Sequence, residues 1–287
     1  MKYLKYLIQF IVIIIFFIIF KIIGLKNAST LGKYIGIKLG PKLRSKMIIK
    51  KNLNFCFKNI NEEKINSIST EMWSNIGRTF AEYVFLNKFK KNKNNNLIKI
   101  NGIEILEKIK NENNPVIFIS GHFANFELMA MKINDSGVKL ATIYRPLNNI
   151  FLNPLMEYLR KKYICPNQIK KGRSGLRELI YKFKDQNSIA LMVDQRVSEG
   201  ISVNLFDKPA LTTTIPAQMV LRYNCKIVPV EIKRINNIHF EIKINNPVSF
   251  EKKDNKIDEI TLKINQILEK MILANPKQWI WPHNRWK

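Results

Sequence analysis

Cysteine, histidine and acidic side chains are all scarce in this chain. Its three cysteines, Cys56, Cys165 and Cys225, are odd in number and far apart along 287 residues, so they offer neither a disulfide framework nor a zinc ladder. They read as ordinary buried thiols of a domain facing a reducing compartment. The three histidines are His122, His239 and His283. No H-E-x-x-H is formed, which removes the zinc-hydrolase reading. No G-x-S-x-G elbow occurs either, because Gly172-Arg173-Ser174-Gly175 has the wrong spacing. A P-loop and a G-x-G-x-x-G behind a strand are likewise missing, so acyl-serine hydrolysis and nucleotide-dependent transfer lack their usual machinery. No internal repeat and no clear second domain is visible.

Acidic residues number 22 against 48 lysines and arginines, a formal charge of +26. Such an excess fits anionic partners: a membrane surface, a phosphorylated substrate, an acidic protein or nucleic acid. Compositional drift competes with that reading, because Lys, Asn and Ile are abundant together. The stretch Asn87 to Lys99 reads as such drift in an exposed loop. No stacking platform or nucleic-acid module accompanies the lysines, so nucleic acid is not expected as a partner.

What the chain does have begins with apolar length. Tyr6 to Phe20 is apolar except for Gln9, and the run resumes past Lys21 through Leu25. That is near the length a membrane-crossing helix needs. No good small-x-small cleavage site follows, so residues 1–25 read as an uncleaved anchor, spanning the bilayer or lying in its interface, with Lys21 able to snorkel to headgroups. Residues 26–60 are basic with no acidic residue before Glu62, which reads as an amphipathic juxtamembrane segment and puts the main domain on the cytoplasmic side if the anchor spans. Residues 61–287 read as a single α/β domain. In 62–88 an apolar stripe at three-and-four spacing reads as helix core or as the lining of an acyl-chain groove.

From residue 97 onward, strands alternate with helices. Strands are expected at 116–119, 138–143, 188–193, 227–232 and 238–244. Helices are expected at 103–110, from 125 on, at 150–163, 173–184, 214–224 and 257–274, with a long loop at 163–171. The fold class is therefore α/β, a mixed central sheet covered by helices, preceded by an N-terminal hydrophobic membrane-anchor helix. His122, Arg145 and Asp194 each fall at or just past the C-terminal end of an expected strand, the edge where α/β sheets bind ligands. In Ser120-Gly121-His122-Phe123-Ala124-Asn125-Phe126-Glu127, His122 lies on the turn and Glu127 in the first turn of the following helix. The two can face each other as an imidazole base and a carboxylate that orients it. A helix cap and a dipole-favoured glutamate are the plainer alternative. With no metal cluster or acyl-serine in view, the pair fits direct transfer, the base taking a proton from a hydroxyl that attacks an activated acyl group.

Four blocks in order, Gly121–Glu127, Tyr144–Asn149, Met192–Gln195 and Pro276–Trp286, make the chain resemble the late acyltransferases of lipid A biosynthesis, the lauroyl/myristoyl transferases within the H-x-x-x-x-D/E acyltransferase superfamily. The resemblance runs from about residue 30 to the C-terminus. It implies a glycerolphosphate-acyltransferase-like fold, with His122 as the base acting on a hydroxyl of a lipid A precursor of the Kdo-lipid IVA type and Glu127 orienting it. Arg145, Arg160 and Asp194 would bind substrate or stabilise charge. The donor would be a thioester on acyl carrier protein, with no cofactor or metal. The place would be the bacterial inner membrane, with the catalytic domain on its cytoplasmic side. Another glycolipid or an aminolipid is the alternative acceptor; a basic, membrane-tethered nucleic-acid-binding protein is the remote one. Arg160 also starts a basic run, and Asp194 is also a plausible turn residue. Trp279, Trp281 and Trp286, around His283 and Arg285, read as a core plug or as a membrane-proximal aromatic cluster, with His283 not catalytic.

Overall fold

An apolar helix with a folded domain on one flank buries one face and leaves the other bare. Helix α1 (Lys2–Leu43) does this in the computed structural model, which describes residues 1–90, 96–250 and 256–287. Phe17 and Phe20 are buried against Phe80, whereas Ile8, Ile11, Ile15, Ile18 and Ile22 are exposed. Lys21, exposed, reaches the Val84 carbonyl and lies over the Phe85 ring. The helix kinks at Gly24, whose φ is 79°. Beyond the kink, Ala28, Ser29, Gly32, Gly36 and Gly40 are buried while Lys26, Lys38 and Lys42 stay exposed. A short helix α2 (Lys46–Cys56) follows, then α3 (Glu62–Glu82). The backbones of α1 and α3 cross so closely that a Cβ on Gly32 or Gly36 would strike Gly77 or Trp73. On α3, Ile65, Ile68, Met72 and Trp73 are buried; this part of the 62–88 stripe is core.

The remaining elements in chain order are α4 (Leu86–Lys90), β1 (Ile98–Asn101), α5 (Ile103–Glu112), β2 (Ile117–Ser120), α6 (Glu127–Asp135), β3 (Leu140–Tyr144), α7 (Leu152–Leu159), β4 (Asn167–Lys170), α8 (Arg173–Lys184), β5 (Ser188–Met192), β6 (Ile201–Leu205), β7 (Lys208–Thr212), α9 (Ile215–Tyr223), β8 (Ile227–Asn236), β9 (His239–Ile244) and α10 (Ile257–Ala274). Seven strands form one sheet in the order β1-β9-β8-β2-β5-β3-β4. All neighbours are parallel except β8 and β9, so the sheet is mixed. Successive side chains of a strand point to opposite faces. On β2, Phe118 therefore joins Met129 and Met131 of α6 in one core, while Ile117 and Ile119 join Leu179 of α8 and Ala217 of α9 in the other. Helices cover both faces, as the alternating pattern requires.

Several boundaries differ from expectation. The expected exposed loop at 87–99 is helical up to Lys90 and becomes β1 at Ile98; its residues 91–95 lie outside the described residues. The expected loop at 163–171 contains β4, a short edge strand whose Asn-Gln-Ile-Lys carries no apolar alternation to reveal it. Before it, the chain leaves α7 through a π-helical turn at Arg160–Ile164. The hairpin of β6 and β7 is not among the expected strands; Pro209 sits in this two-stranded ribbon, paired with Asn204. Trp279, Trp281 and Trp286 are buried and stack edge-to-face, so the tail is a core plug and not a membrane-proximal cluster. Truncating any one of them should cost about 3–5 kcal/mol.

Candidate active site

Strands β2, β5 and β3 are neighbours in the sheet, and His122, Asp194 and Arg145 emerge just beyond their C-terminal ends. The turn that carries His122 is tightly clamped. A Cβ on Gly121 would come within 2.8 Å of the Phe123 ring and 3.2 Å of Asp194 Oδ2, so a larger residue would force these side chains to shift. Ala124 has a left-handed φ of 45°, which strains a residue with a side chain. Its carbonyl accepts from Asn75 Nδ2 and Thr79 Oγ1 on α3, and its N–H donates to the Gln278 carbonyl. Asn125, fully buried, donates to Glu82, which also pairs with Arg234. Surroundings that fix a turn from so many sides can hold that strain.

The carboxylate bonded to the histidine is Asp194. Its Oδ1 lies 2.7 Å from His122 Nδ1, and its Oδ2 accepts from the His122 backbone N–H at 2.7 Å and from Trp279 Nε1 at 2.9 Å. Oδ2 is thus filled by two donors, which leaves Oδ1 to receive a proton on Nδ1. The ring is then the Nδ1–H tautomer, with its Nε2 lone pair free. Nε2 makes no hydrogen bond among the described residues, and the side chain keeps 19% of its surface. Burial pushes the imidazole pKa down, but the charge and hydrogen bond of Asp194 outweigh it, so the net pKa is raised. Burial pushes Asp194 up, and His122 and its other donors outweigh that, holding it below the ordinary carboxylate range. The ring edge rests against Phe126, with centroids 4.6 Å apart.

Glu127 has different partners. Its Oε1 accepts from Arg160 Nη2 at 2.6 Å and Nε at 2.9 Å, and from the Tyr83 hydroxyl. Glu127, expected to orient His122, makes no hydrogen bond to it among the described residues. Five residues of separation place the two groups near each other, and the Glu127 charge still helps to raise the His122 pKa; but the carboxylate turns toward the arginine, the stronger cation. Burial alone would lower the Arg160 pKa, and Glu127 and Tyr83 together more than reverse this, so the guanidinium stays charged. Arg160 lies over the Tyr144 ring at 5.8 Å, and its Nη1 makes no hydrogen bond among the described residues. Arg145 is exposed at the start of the loop after β3 and has no hydrogen-bond or ion-pair partner among the described residues.

Sequence reasoning missed two contributors. Tyr83 merged into the apolar stripe of 62–88, and Trp279 into the tail. For Trp279 there was a signal: a buried indole needs an acceptor for its N–H. His283 accepts from the Arg196 N–H at 2.9 Å, and burial lowers its pKa; its ring serves the tail. Arg285 is fully buried, bonded to Thr212 Oγ1 and the Leu211 carbonyl, and burial lowers its pKa to about 10. Among the described residues, no three His, Cys, Asp or Glu side chains stand close enough to hold a metal ion.

The model of the bacterial lipid A biosynthesis acyltransferases matches residues 1–287. The chain belongs to that family. A lipid A biosynthesis acyltransferase of Haemophilus influenzae is 24% identical over 88% of this chain and 79% of that protein. The lipid A biosynthesis palmitoleoyltransferase of Escherichia coli is 24% identical over 90% of this chain and 84% of that protein. The lauroyltransferase of the same organism is 21% identical over 86% and 80%. This lipid A acyltransferase family member is thus an acyltransferase.

Proposed function

We propose that this acyltransferase moves a fatty acyl group from a thioester of acyl carrier protein to a hydroxyl of a lipid A precursor of the Kdo-lipid IVA type. His122 Nε2 takes the proton from the acceptor hydroxyl while that oxygen bonds to the thioester carbonyl carbon. Collapse of the tetrahedral intermediate breaks the C–S bond, and the proton passes from His122 to the departing thiolate. Asp194 holds the imidazole in its base tautomer and stabilises the imidazolium. Arg160, held by Glu127 and Tyr83, turns its spare Nη1 to the developing oxyanion or to a substrate phosphate. Arg145 takes a second phosphate of the acceptor. The apolar helix α1 holds the enzyme at the inner membrane with the domain on the cytoplasmic side, and the excess of cationic side chains steers both an acidic carrier and a phosphorylated glycolipid.

The observation that carries this reading is the half-buried His122, paired with the buried Asp194 and with its Nε2 open, at the C-terminal sheet edge. The test is acyl transfer from the carrier thioester to a tetra-acylated lipid A precursor in membranes, followed by mass spectrometry. His122→Ala should lose at least about a hundredfold in rate; a variant as active as the parent would remove the base from the mechanism. A strain without the gene whose lipid A is unchanged, while another lipid loses an acyl chain, would move the acceptor to a different glycolipid or an aminolipid.

A further inference from the structure

The loop between β3 and α7 ends in Leu147-Asn148-Asn149-Ile150-Phe151 and presents apolar side chains outward: Leu147, Ile150 and Phe151 are 37%, 51% and 36% exposed. It is a built loop. Asn149 Oδ1 accepts from the N–H groups of Phe151 and Leu152, at 3.0 and 3.2 Å, and Asn153 Oδ1 accepts from the Leu147 N–H at 2.8 Å. The buried Asn149 also donates Nδ2 to the Tyr6 carbonyl at 2.8 Å, and Phe151 meets Phe10 at 6.3 Å between ring centroids. The loop is thus joined to the first half of α1.

These contacts constrain how α1 meets a membrane. Before its kink, α1 touches the domain at Tyr6, Phe10, Phe17, Phe20 and Lys21, among other residues. Tyr6 to Lys21 is about 22 Å of helix. If α1 crossed the bilayer upright, the loop at Tyr6 and the helix bearing Phe80 would be carried through most of the hydrocarbon, where lipid-exposed irregular backbone is not tolerated. A helix lying flat meets no such cost. We infer that α1 lies in the plane of one leaflet and that the loop Leu147–Phe151 enters the same leaflet beside it, the occupant of both apolar faces being phospholipid. The flanking charge agrees: no acidic residue precedes Glu62, and none occurs between Tyr144 and Asn153, which suits anionic headgroups at the depth reached by an interfacial helix. The site above β3 is thereby brought to the membrane surface, where a lipid acceptor need not leave the bilayer.

This rests on the membrane association proposed above, and the experiment separates the two. The full chain, with Cys56→Ser to limit labelling, is reconstituted in vesicles of phosphatidylethanolamine and phosphatidylglycerol. An environment-sensitive fluorophore is placed at Ile150→Cys, at Ile8→Cys, Ile15→Cys and Ile22→Cys along the exposed face of α1, and at Tyr181→Cys on α8, which packs on the other face of the sheet. Lipids carrying quenchers at two depths report position. The expected result is several-fold stronger quenching at 150 than at 181, with positions 8, 15 and 22 at one shallow depth. A spanning helix would change depth by about 10 Å between successive labels and would overturn the in-plane arrangement. A protein that floats with the vesicles while the label at 150 stays in water overturns the loop insertion. A label shielded in detergent by a second copy, and unquenched by lipid, does so as well. Failure to float at all overturns both this inference and the membrane association beneath it.

Discussion

Two carboxylates serve one site, and they do so in unlike ways. Asp194 is fully buried, filled on one oxygen by two N–H donors and committed on the other to the imidazole. Glu127 is bound to a guanidinium and a phenol, and acts on His122 only through space. The first fixes a tautomer and raises a pKa; the second holds a cation in place. Proximity in sequence selected Glu127 as the histidine's partner, but the hydrogen bond went to the residue that arrives from a neighbouring strand of the sheet. The difference matters because the two roles fail differently when the charge is removed.

The largest effect should come from Asp194→Asn. An amide has one acceptor and one donor where the carboxylate has two acceptors. The His122 N–H and Trp279 Nε1–H both need an acceptor at the Oδ2 position, so the amide oxygen goes there and the NH2 faces Nδ1. Nδ1 must then accept, the proton moves to Nε2, and the base is lost. We expect the rate to fall about 100- to 10,000-fold with the fold retained. The pH dependence gives the sign. A base works only when neutral, so in the parent the rate should fall as pH drops through the raised His122 pKa, above the ordinary value of about 6.5. Without the Asp194 charge that pKa falls, and the acid limb of the residual activity should move to lower pH. A limb that stays in place would return the orienting role to Glu127.

The same contrast shows what was legible in the sequence. Long periodic segments were: α8 and α10 lie where their apolar spacing put them, as do the central strands β2, β3 and β5. The sheet edge was legible too, because a polar residue ending an apolar strand marks it, and His122, Arg145 and Asp194 were found that way. Elements whose identity depends on a neighbour were not. The edge strand β4 is polar, and the β6–β7 ribbon is specified by its own pairing and by packing against α10. Pairing was the least legible of all. Nothing in local spacing says that Asp194 rather than Glu127 accepts from Nδ1, or that Tyr83, on the far side of the chain, closes around Glu127.

Glu127→Gln should be milder and of a different kind. The amide oxygen can still accept from Arg160 and Tyr83, so the hydrogen bonds survive while the charge opposite a largely buried guanidinium is lost. We expect a stability loss of about 1–3 kcal/mol in thermal or denaturant unfolding and a rate loss of roughly tenfold from a less well held Arg160. The acid limb should move down less than in Asp194→Asn, since only a through-space contribution is removed. If Glu127→Gln instead moved the limb further than Asp194→Asn, the two carboxylates would have to exchange roles.

Trp279→Phe is the finest of these probes, because it changes Asp194 without touching its charge. The phenyl ring keeps most of the packing against Trp281 and Trp286 but cannot donate to Oδ2. One lost hydrogen bond of about 1 kcal/mol should lower the rate about fivefold, measured at a temperature where unfolding shows the variant fully folded. Its pH signature is opposite to that of Asp194→Asn. A carboxylate that has lost a donor is more basic and holds the imidazole proton more strongly, so the His122 pKa should rise and the acid limb should move to higher pH. Opposite displacements in two variants of the same contact would locate the orienting carboxylate at Asp194 by sign alone, independent of how far either rate falls.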